Sequence, residues 1–428
     1  MIVEVWTGAE VRALRDALRM TQEQFAELIG WATSTIRKWE QHATPERPVR
    51  GSRAADLDSC LASLTPEQAR RFVSAVGASA GTAPDPLIPA EEDDVKRRDL
   101  AKLAAFTAVS LPTAATSRIS MDDVHKLNAL TIDLDAIDQL VGGADLVEHA
   151  RRTLERSLGL LNTAAFDGRT AKAWMSAVGN LAIITGWLAY DGAQHALARR
   201  CYSDALSLAA CSEDDDLTVH ALLNASLQTI GLARTGEASP SYALALVRRA
   251  ADLMRRRPPG RIQALISVRE AAAHGVNGDG QAFQRAMAVA WREMDEAASH
   301  EPLEECQTWL RFVTHAELRG HEARGWADTG NSARALALYE VSAREPARPR
   351  NSAHARAWFS AALARTGDTP RAVHEATSVL ADLEAEIAST RTLKSLNPVR
   401  TAAGSWAGMD EFVERFDALA RSKGHVHA

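Results

Sequence analysis

The chain has 428 residues, a formal net charge of −6 and four cysteines. This length allows two or three domains and a sizeable buried core. The acidic balance excludes a protein drawn to nucleic acid by a global basic field, so any affinity for DNA has to be local. The cysteines lie too far apart for C-x-x-C spacing, which disfavours a disulfide scaffold or a zinc site.

The composition favours helix throughout. Hydrophobic residues make up 46% of the chain and aromatic residues only 5%, and Ala, Leu and Arg recur with few β-branched runs. The sequence opens without a charged leader and an apolar run, and no apolar stretch approaches the roughly 20 residues that span a bilayer. We therefore expect an all-α cytoplasmic protein with no membrane partner.

Three helix-entry signals punctuate the first part of the chain. In each, a Thr is followed three residues later by Glu or Gln, a capping box that satisfies backbone N–H groups at a helix start. The pairs are Thr7 with Glu10, Thr21 with Gln24, and Thr65 with Gln68. We predict a domain of short capped helices over residues 1–76. Residues 77–94, rich in Gly, Ser, Pro and acidic side chains, are predicted to be a linker.

Residues 18–42 alternate helix and turn signals. One helix is predicted to start at Thr21 and to break at Gly30, and a second to run from Thr33 to Gln41. The residues expected to face inward are Phe25, Leu28, Ile29, Ile36 and Trp39. Residues 37–53 hold five basic residues against two acidic ones, a local excess of positive charge.

This pattern resembles the helix-turn-helix of the xenobiotic-response-element (XRE) family of repressors. The resemblance implies a lambda-repressor-like fold in which small Ala26 lies at the helix crossing, and a double-stranded DNA operator as partner. It also implies a partly buried ion pair between Arg15 and Glu40. The chain departs from the family at Trp31, where a smaller apolar residue is usual, and at Ala32, where a capping Ser is common unless Thr33 takes over the cap.

The resemblance also implies roles in DNA binding. Base edges are assigned to the second helix, with Lys38 as a donor to guanine and two residues offering hydroxyls or methyls. Phosphate contacts are assigned to the start of the first helix and to flanking side chains. The predicted base-reading residues are Thr33, Ser34 and Lys38, and the predicted phosphate contacts are Gln22, Thr35, Arg37 and Arg50.

Residues 95–428 read as successive helices separated by short glycine turns. The recurring glycines Gly192, Gly236, Gly278, Gly330 and Gly367 are 44, 42, 52 and 37 residues apart. Helix hairpins at such a period stack into a superhelix with a concave surface. The segments around the last two glycines resemble tetratricopeptide repeats, although the spacing is looser than 34 residues. An irregular helical bundle is the alternative.

A helix-turn-helix followed by such repeats resembles the peptide-pheromone receptors of Gram-positive bacteria and a group of actinobacterial regulators. The resemblance implies that a peptide or small ligand lies in the concave face, where Asn side chains clamp peptide groups. Asn180 and Asn224 each stand twelve residues before a turn glycine; the alternative is that each bonds a neighbouring turn in the core. Later helices offer further candidates for an acidic ligand, for which structural roles are the alternative. These are Arg269, Arg311, His315 and His354.

The sequence therefore predicts an all-α transcription regulator, active as a homodimer because operators of this class are paired half-sites. An effector or protein partner would alter the repeats and so the spacing of the two DNA-binding heads. We expect no enzyme activity, no cofactor and no metal site, since phosphate-loop, nucleophile-turn and complete zinc-protease motifs are missing. The alternative is an interaction scaffold whose helix-turn-helix only docks or has lost its affinity for DNA.

Overall fold

In a computed structural model, the described residues are 6–41, 49, 52–62, 64, 65, 68, 72 and 118–423. The chain divides into two compact units, Met1–Asp94 and Val95–Ala428. The predicted linker, residues 77–94, lies outside the described residues. Every regular element of the described part is a helix, so the all-α fold class is confirmed, with an N-terminal helix-turn-helix followed by a region consistent with helical repeats.

The N-terminal unit is built from short helices that begin where the sequence signals them. They are α1 Gly8–Ala17, α2 Gln22–Ile29, α3 Thr33–Gln41 and α4 Ser52–Ala62. Thr7 and Thr21 cap α1 and α2, and in both cases the residue three positions later closes the capping box. The Thr65 N–H donates to the Gln68 side chain at 2.9 Å, and the Gln68 N–H donates back to the Thr65 hydroxyl at 3.3 Å.

One apolar core holds this unit together. Phe25, Ala26 and Ile36 are buried with residues of α1 and α4, and Trp39 packs against them half-buried. The expectation that Leu28 faces inward is wrong, because 52% of its surface is exposed. Helix α2 spans only eight residues, and its buried positions are Phe25 and Ala26. Leu28 lies two residues after Ala26, about 200° around the helix, which turns it away from the core.

The C-terminal unit consists of longer helices in sequence. They are α5 Met121–Val141, α6 Val147–Thr163, α7 Gly168–Asp191, α8 His195–Ser212, α9 Asp215–Ala233, α10 Pro240–Met254, α11 Arg261–Val276, α12 Gly280–His300, α13 His315–Asp328, α14 Ser332–Arg344, α15 Pro349–Arg365, α16 Thr369–Ala385, α17 Thr390–Ser395, α18 Asn397–Ala403 and α19 Asp410–Ser422. None of these helices, nor any other in the described residues, is long and apolar enough to cross a membrane.

Five successive pairs of these helices pack as hairpins: α7 with α8, α9 with α10, α11 with α12, α13 with α14, and α15 with α16. Four of the predicted turn glycines take a left-handed backbone, with φ between 77° and 89° at Gly236, Gly278, Gly330 and Gly367. The first turn differs. Gly192 has φ −80°, and the left-handed residue is Ala193 with φ 60°.

Most of the first helices of the hairpins contact the first helix of the next hairpin. Helices α7, α9, α11 and α13 contact one another in chain order, and α14 connects α13 to α15. Helix α5 contacts both α7 and α15. These helices, which we call the inner helices (α5, α7, α9, α11, α13 and α15), therefore form a closed circuit of contacts together with α14, rather than an open row.

Two fully buried aspartates close this circuit. Asp138 on α5 accepts hydrogen bonds from Trp187 on α7 at 2.8 Å and from Arg350 on α15 at 2.6 Å. Asp191 at the end of α7 accepts from Ser389 and Arg391, both at 3.0 Å. Neither aspartate has exposed surface, and each joins residues from opposite ends of the unit. We call these two sets of contacts the clasp.

Candidate nucleic-acid interface

The candidate DNA-binding element is α2, a tight turn and α3. Helix α2 ends at Gly30, whose φ of 70° and ψ of 29° are left-handed and suit a residue without a side chain. The Trp31 N–H then bonds the Ala26 carbonyl at 2.8 Å, which turns the chain sharply. Helix α3 starts at Thr33, as the sequence predicts.

An ion pair between α1 and α3 positions α3. Arg15 on α1 donates from Nε and Nη2 to the two carboxylate oxygens of Glu40 at 2.6 and 3.1 Å, and from Nη1 to the Met20 carbonyl at 2.9 Å. The side chains are 14% and 7% exposed. The bond to Glu40 raises the pKa of Arg15 above its ordinary value, against the opposing effect of burial. Arg15 and Glu40, the pair that the family resemblance implies, are therefore in contact in the structure.

The side chain of Gln22 takes part in the ion pair. Its Nε2 donates to Glu40 Oε2 at 2.7 Å, so the amide is engaged in the ion pair on the protein side. The backbone N–H of Gln22, at the first position of α2, is the group that stays suited to a phosphate. The phosphate contact predicted at Gln22, which the sequence assigns to the helix start, stays a prediction for this backbone group.

The outward face of α3 carries the candidate contacts. Ser34, Arg37 and Lys38 are exposed and lie three and four positions apart, which aligns them along one face of the helix. Thr33 and Thr35 are half-buried at the flanks of this face. Ile36 is fully buried on the opposite side. We call Ser34, Arg37 and Lys38 the exposed strip of α3.

The start of α3 has no side-chain cap within the described residues. Ala32 precedes the helix and accepts backbone bonds at its carbonyl from Thr35 at 2.8 Å and Ile36 at 3.4 Å. Its methyl group cannot accept the free N–H groups of the first turn. The alternative cap at Thr33 is not formed, because Thr33 is the first residue of the helix.

Trp31 fixes the turn to α4, a contact that sequence reasoning missed. The indole N–H donates to Asp56 at 3.0 Å, and the Arg53 guanidinium lies 5.6 Å from the ring centre. The unusual size of Trp31 was the available signal, since a large ring in a turn needs a surface to pack on. Arg50, the remaining phosphate candidate, lies outside the described residues.

The two asparagines proposed as ligand clamps use their donors inside their own helices. Asn180 Nδ2 donates to the Ser176 carbonyl and Asn224 Nδ2 to the His220 carbonyl, both at 3.1 Å. Both side chains are half-buried. The equal spacing of the two asparagines before their glycines therefore corresponds to the same bond, from the amide to the carbonyl four residues earlier. The amide oxygens are the groups that can still contact a ligand.

The structure separates the four later candidates into two pairs. Arg269 on α11 and His354 on α15 lie on the inner helices, and each is close enough to Arg324 for that charge to shift its pKa. Arg311 and His315 lie elsewhere. Arg311 follows a short 3₁₀ turn, is exposed and donates to the Glu304 carbonyl at 3.3 Å, so its expected position on a repeat helix is wrong. His315 lies 2.9 Å from Asp295 with 43% of its side chain exposed.

Residues 11–44 match the family model described as helix-turn-helix, which supports an XRE-type domain. The matched segment contains α2, α3 and most of α1, including the whole ion pair. Comparison with curated proteins and with solved structures found no match to the chain. The matched domain supports a DNA-binding transcription regulator with double-stranded DNA as its partner.

Proposed function

We propose that this protein is a sequence-specific, cytoplasmic transcription regulator that binds its operator as a homodimer and responds to an effector held by the C-terminal unit. The observation that carries the proposal is the exposed strip of α3, backed by the Arg15–Glu40 pair. A helix that reads base edges in the major groove has to present its side chains outward in a fixed orientation. The pair and the buried Ile36 provide that orientation from behind.

The roles within the strip follow from chemistry. Lys38 offers charged donors that suit guanine, and Ser34 at the centre of the outward face offers a hydroxyl to a base edge. Arg37, on the edge of the same face, suits a phosphate. The half-buried Thr33 and Thr35 are placed to contact the backbone or base edges beside the strip. No global positive charge assists, so these local contacts have to supply the affinity.

A homodimer is part of the proposal because one helix-turn-helix buries too little surface for tight, specific binding. Two heads on paired half-sites double the contacts and tie the operator to the spacing between heads. The helix hairpins of the C-terminal unit, which resemble tetratricopeptide repeats, would then set that spacing. An effector that binds one arrangement of the hairpins better than another would shift operator affinity.

Genome-wide binding of the tagged full chain tests the proposal. The informative variant is Arg37→Ala with Lys38→Ala, which removes both charges from the strip. The matched control is Arg12→Ala, which removes an exposed charge from α1, where the side chain is 66% exposed. We expect sharp peaks over a two-fold motif with the native chain and the control, and their loss with the double variant.

Peaks that persist in the double variant would refute DNA reading by α3. Absence of peaks for all three proteins, in the presence and absence of cell extract as an effector source, would favour the scaffold alternative. In that case the hairpins recruit a protein partner and the helix-turn-helix docks without reading DNA. The scaffold function would be supported if the full chain captured a protein partner and the Arg37→Ala, Lys38→Ala variant captured it equally well.

A further inference from the structure

We infer that the inner helices enclose a binding site for a small organic anion carrying a carboxylate or phosphate group, with Arg324 as its principal charged contact. The inference rests on the proposed function, since it names the class of effector. It is carried by three observations: the convergence of polar side chains on one interior, an unpaired cation there, and buried hydrogen-bond donors that lack acceptors.

Every inner helix sends polar or aromatic side chains to one interior. Helix α13 contributes three residues a turn apart, Glu317, His321 and Arg324, which places them on one face. His321 Nε2 lies 2.9 Å from Arg269 Nη1 on α11. Arg324 lies with its guanidinium carbon 5.8 Å from the ring of Trp358 on α15. The remaining members are Asp138 on α5, Trp187, Tyr190 and Asp191 on α7, Tyr202 on α8, Arg234 on α9, Asp328 on α13, Tyr339 on α14, Arg350 and His354 on α15, and Arg391 on α17.

The arginines of this interior are paired unevenly with carboxylates. Three arginines are matched one to one with aspartates, at 2.6 Å for Arg350 with Asp138, 2.8 Å for Arg234 with Asp328, and 3.0 Å for Arg391 with Asp191. Arg269 and Arg324 are left with the single carboxylate of Glu317. The histidines add no positive charge there, since burial keeps the pKa of His321 at about 3 and that of His354 well below its ordinary value.

Arg324 has neither a hydrogen-bond partner nor an ion-pair partner among the described residues, although its side chain is only partly exposed. Burial lowers its pKa; Glu317 and Tyr339 act in the opposite direction, and Arg234 and Arg391 lower the pKa further by repulsion. A cation in such surroundings is costly unless an anion joins it. A bound carboxylate or phosphate would remove that cost.

Buried donors without acceptors surround the same place. The hydroxyl groups of Tyr202 and Tyr339 and the Nε–H of Arg269 have no partner in the described residues, and each of these residues is at most 4% exposed. Among the carboxylate oxygens of this interior, Asp138 Oδ1 is the one left without a donor in the described residues. Unmatched buried donors are rare in folded proteins and call for an acceptor-rich molecule.

His321 adds one more donor whichever way its ring is protonated. Its Nε2 faces both Arg269 at 2.9 Å and Glu317 at 3.1 Å, and one ring nitrogen cannot accept from the first and donate to the second at once. With the proton on Nδ1, that N–H is buried without a partner. With the proton on Nε2, the facing N–H of Arg269 has no acceptor.

The closed circuit argues for a small ligand rather than an extended peptide. A peptide in the concave face of an open row of repeats can run past both ends, whereas the clasp joins α5 and α7 to α15 and α17. The asparagines expected to hold a peptide backbone donate within their own helices. An anion of a few heavy atoms needs no such clamps, because one or two charged donors and aromatic walls such as Trp187 and Trp358 suffice.

Thermal unfolding and calorimetry of the full chain test the site with defined probes. The probes are glutarate and inorganic phosphate, with uncharged glutaramide as the matched control and constant ionic strength throughout. We expect at least one of the two anions to raise the unfolding temperature and glutaramide to have no effect, because only a ligand that binds the folded state stabilises it. An acidic pentapeptide serves as the probe for the competing ligand class.

Two substitutions link the effect to the site. Arg324→Met keeps the stem and removes the unpaired charge, and Tyr202→Phe removes only an unpartnered hydroxyl; we expect both to fold with unchanged or higher stability. Arg324→Met should weaken anion binding about tenfold or more, the effect of one charge-assisted hydrogen bond, and Tyr202→Phe should weaken it less. Arg248→Met, on the exposed face of α10, is the control and should bind as the native chain does.

The results separate this inference from the proposed function. No stabilisation by either anion, or equal stabilisation of the Arg324→Met variant, would overturn the anion site, while operator binding measured by gel shift would still stand. Binding of the peptide alone would replace the anion by a peptide effector. Anion binding with no operator binding in any state would leave the site intact and refute the proposed regulator.

Discussion

The guanidinium of Arg15 and the carboxylate of Glu40 meet through two hydrogen bonds, at 2.6 and 3.1 Å, across 25 residues of sequence. Arg15 belongs to α1 and Glu40 to the end of α3, so the pair sets the angle of α3 against the rest of the N-terminal unit. Gln22 on α2 donates to the same carboxylate. The orientation of the exposed strip thus depends on one partly buried charge pair.

We expect Arg15→Met to destabilise the N-terminal unit by about 2–4 kcal/mol, because Glu40 would stay largely buried without its cation. Hydrogen exchange of the α1–α3 amides, followed by mass spectrometry, measures the loss directly. The double variant Arg15→Met with Glu40→Met is the control, and it should recover much of the loss by leaving no unpaired charge. A single variant that exchanges as slowly as the native chain would contradict this role.

Ala32→Ser should stabilise α3 by about 0.5–1 kcal/mol, because a hydroxyl at this position can accept from an N–H of the uncapped first turn. Slower amide exchange in α3, with no change in α1, is the expected result. Ala32→Val is the matched control, since it adds bulk without an acceptor. Equal amide exchange in both variants would show that the N–H groups of the first turn of α3 already have acceptors.

Ala193→Gly should stabilise the C-terminal unit by about 1 kcal/mol, because a left-handed backbone at φ 60° is strained for Ala and free for Gly. Gly236→Ala is the converse test at the next turn. Its φ is 79° with nothing near the position of the added carbon, so the expected loss of about 1 kcal/mol comes from the backbone alone. Urea unfolding midpoints measure both, and shifts of the same sign would refute the assignment.

The stability of the C-terminal unit should fall as the pH drops from 6.5 towards 5. The ring of His220 stacks on Trp309 with centroids 3.9 Å apart, and burial lowers its pKa to about 3. A histidine with a depressed folded pKa contributes stability that is present above its unfolded pKa of about 6.5 and lost below it, because only the unfolded chain then takes up the proton.

The expected loss from His220 is at most about 1.4 kcal/mol per pH unit. His220→Phe keeps the stacked ring and removes the titration, so its unfolding free energy should depend on pH less steeply by one proton. Urea unfolding at neutral pH and at about pH 5 gives the comparison. The same pH dependence in both proteins would show that the ring is protonated in the folded state.

Local features of the fold were predictable from the sequence, whereas the interior was not. The capping boxes at Thr7, Thr21 and Thr65 and the break at Gly30 depend on neighbouring residues, and the sequence contains all of the information they need. The same holds for the glycine turns, apart from the first, where Gly192 and Ala193 exchange roles. That exchange depends on how α7 packs, which no local pattern records.

Predictions of side-chain partners were harder. Gln22 was assigned to a phosphate, and only the folded chain brings its amide to Glu40, eighteen positions away. Arg324 had no sequence signal of its own, because its lack of a partner follows from helices far apart in the chain. The family resemblance supplied the Arg15–Glu40 pair, which neither periodicity nor composition would have found.

The clasp changes how the C-terminal unit is expected to fold. In a linear solenoid each repeat contacts only its neighbours, so stability is added repeat by repeat and end repeats fray independently. Here Arg350 bonds Asp138 across 212 residues, and Arg391 bonds Asp191 across 200. Forming these contacts requires the two ends of the unit to come together, in addition to the pairing of neighbouring helices. Losing the last helices should therefore unfold the first ones as well, so the unit behaves as one cooperative body and not as a string of separable repeats.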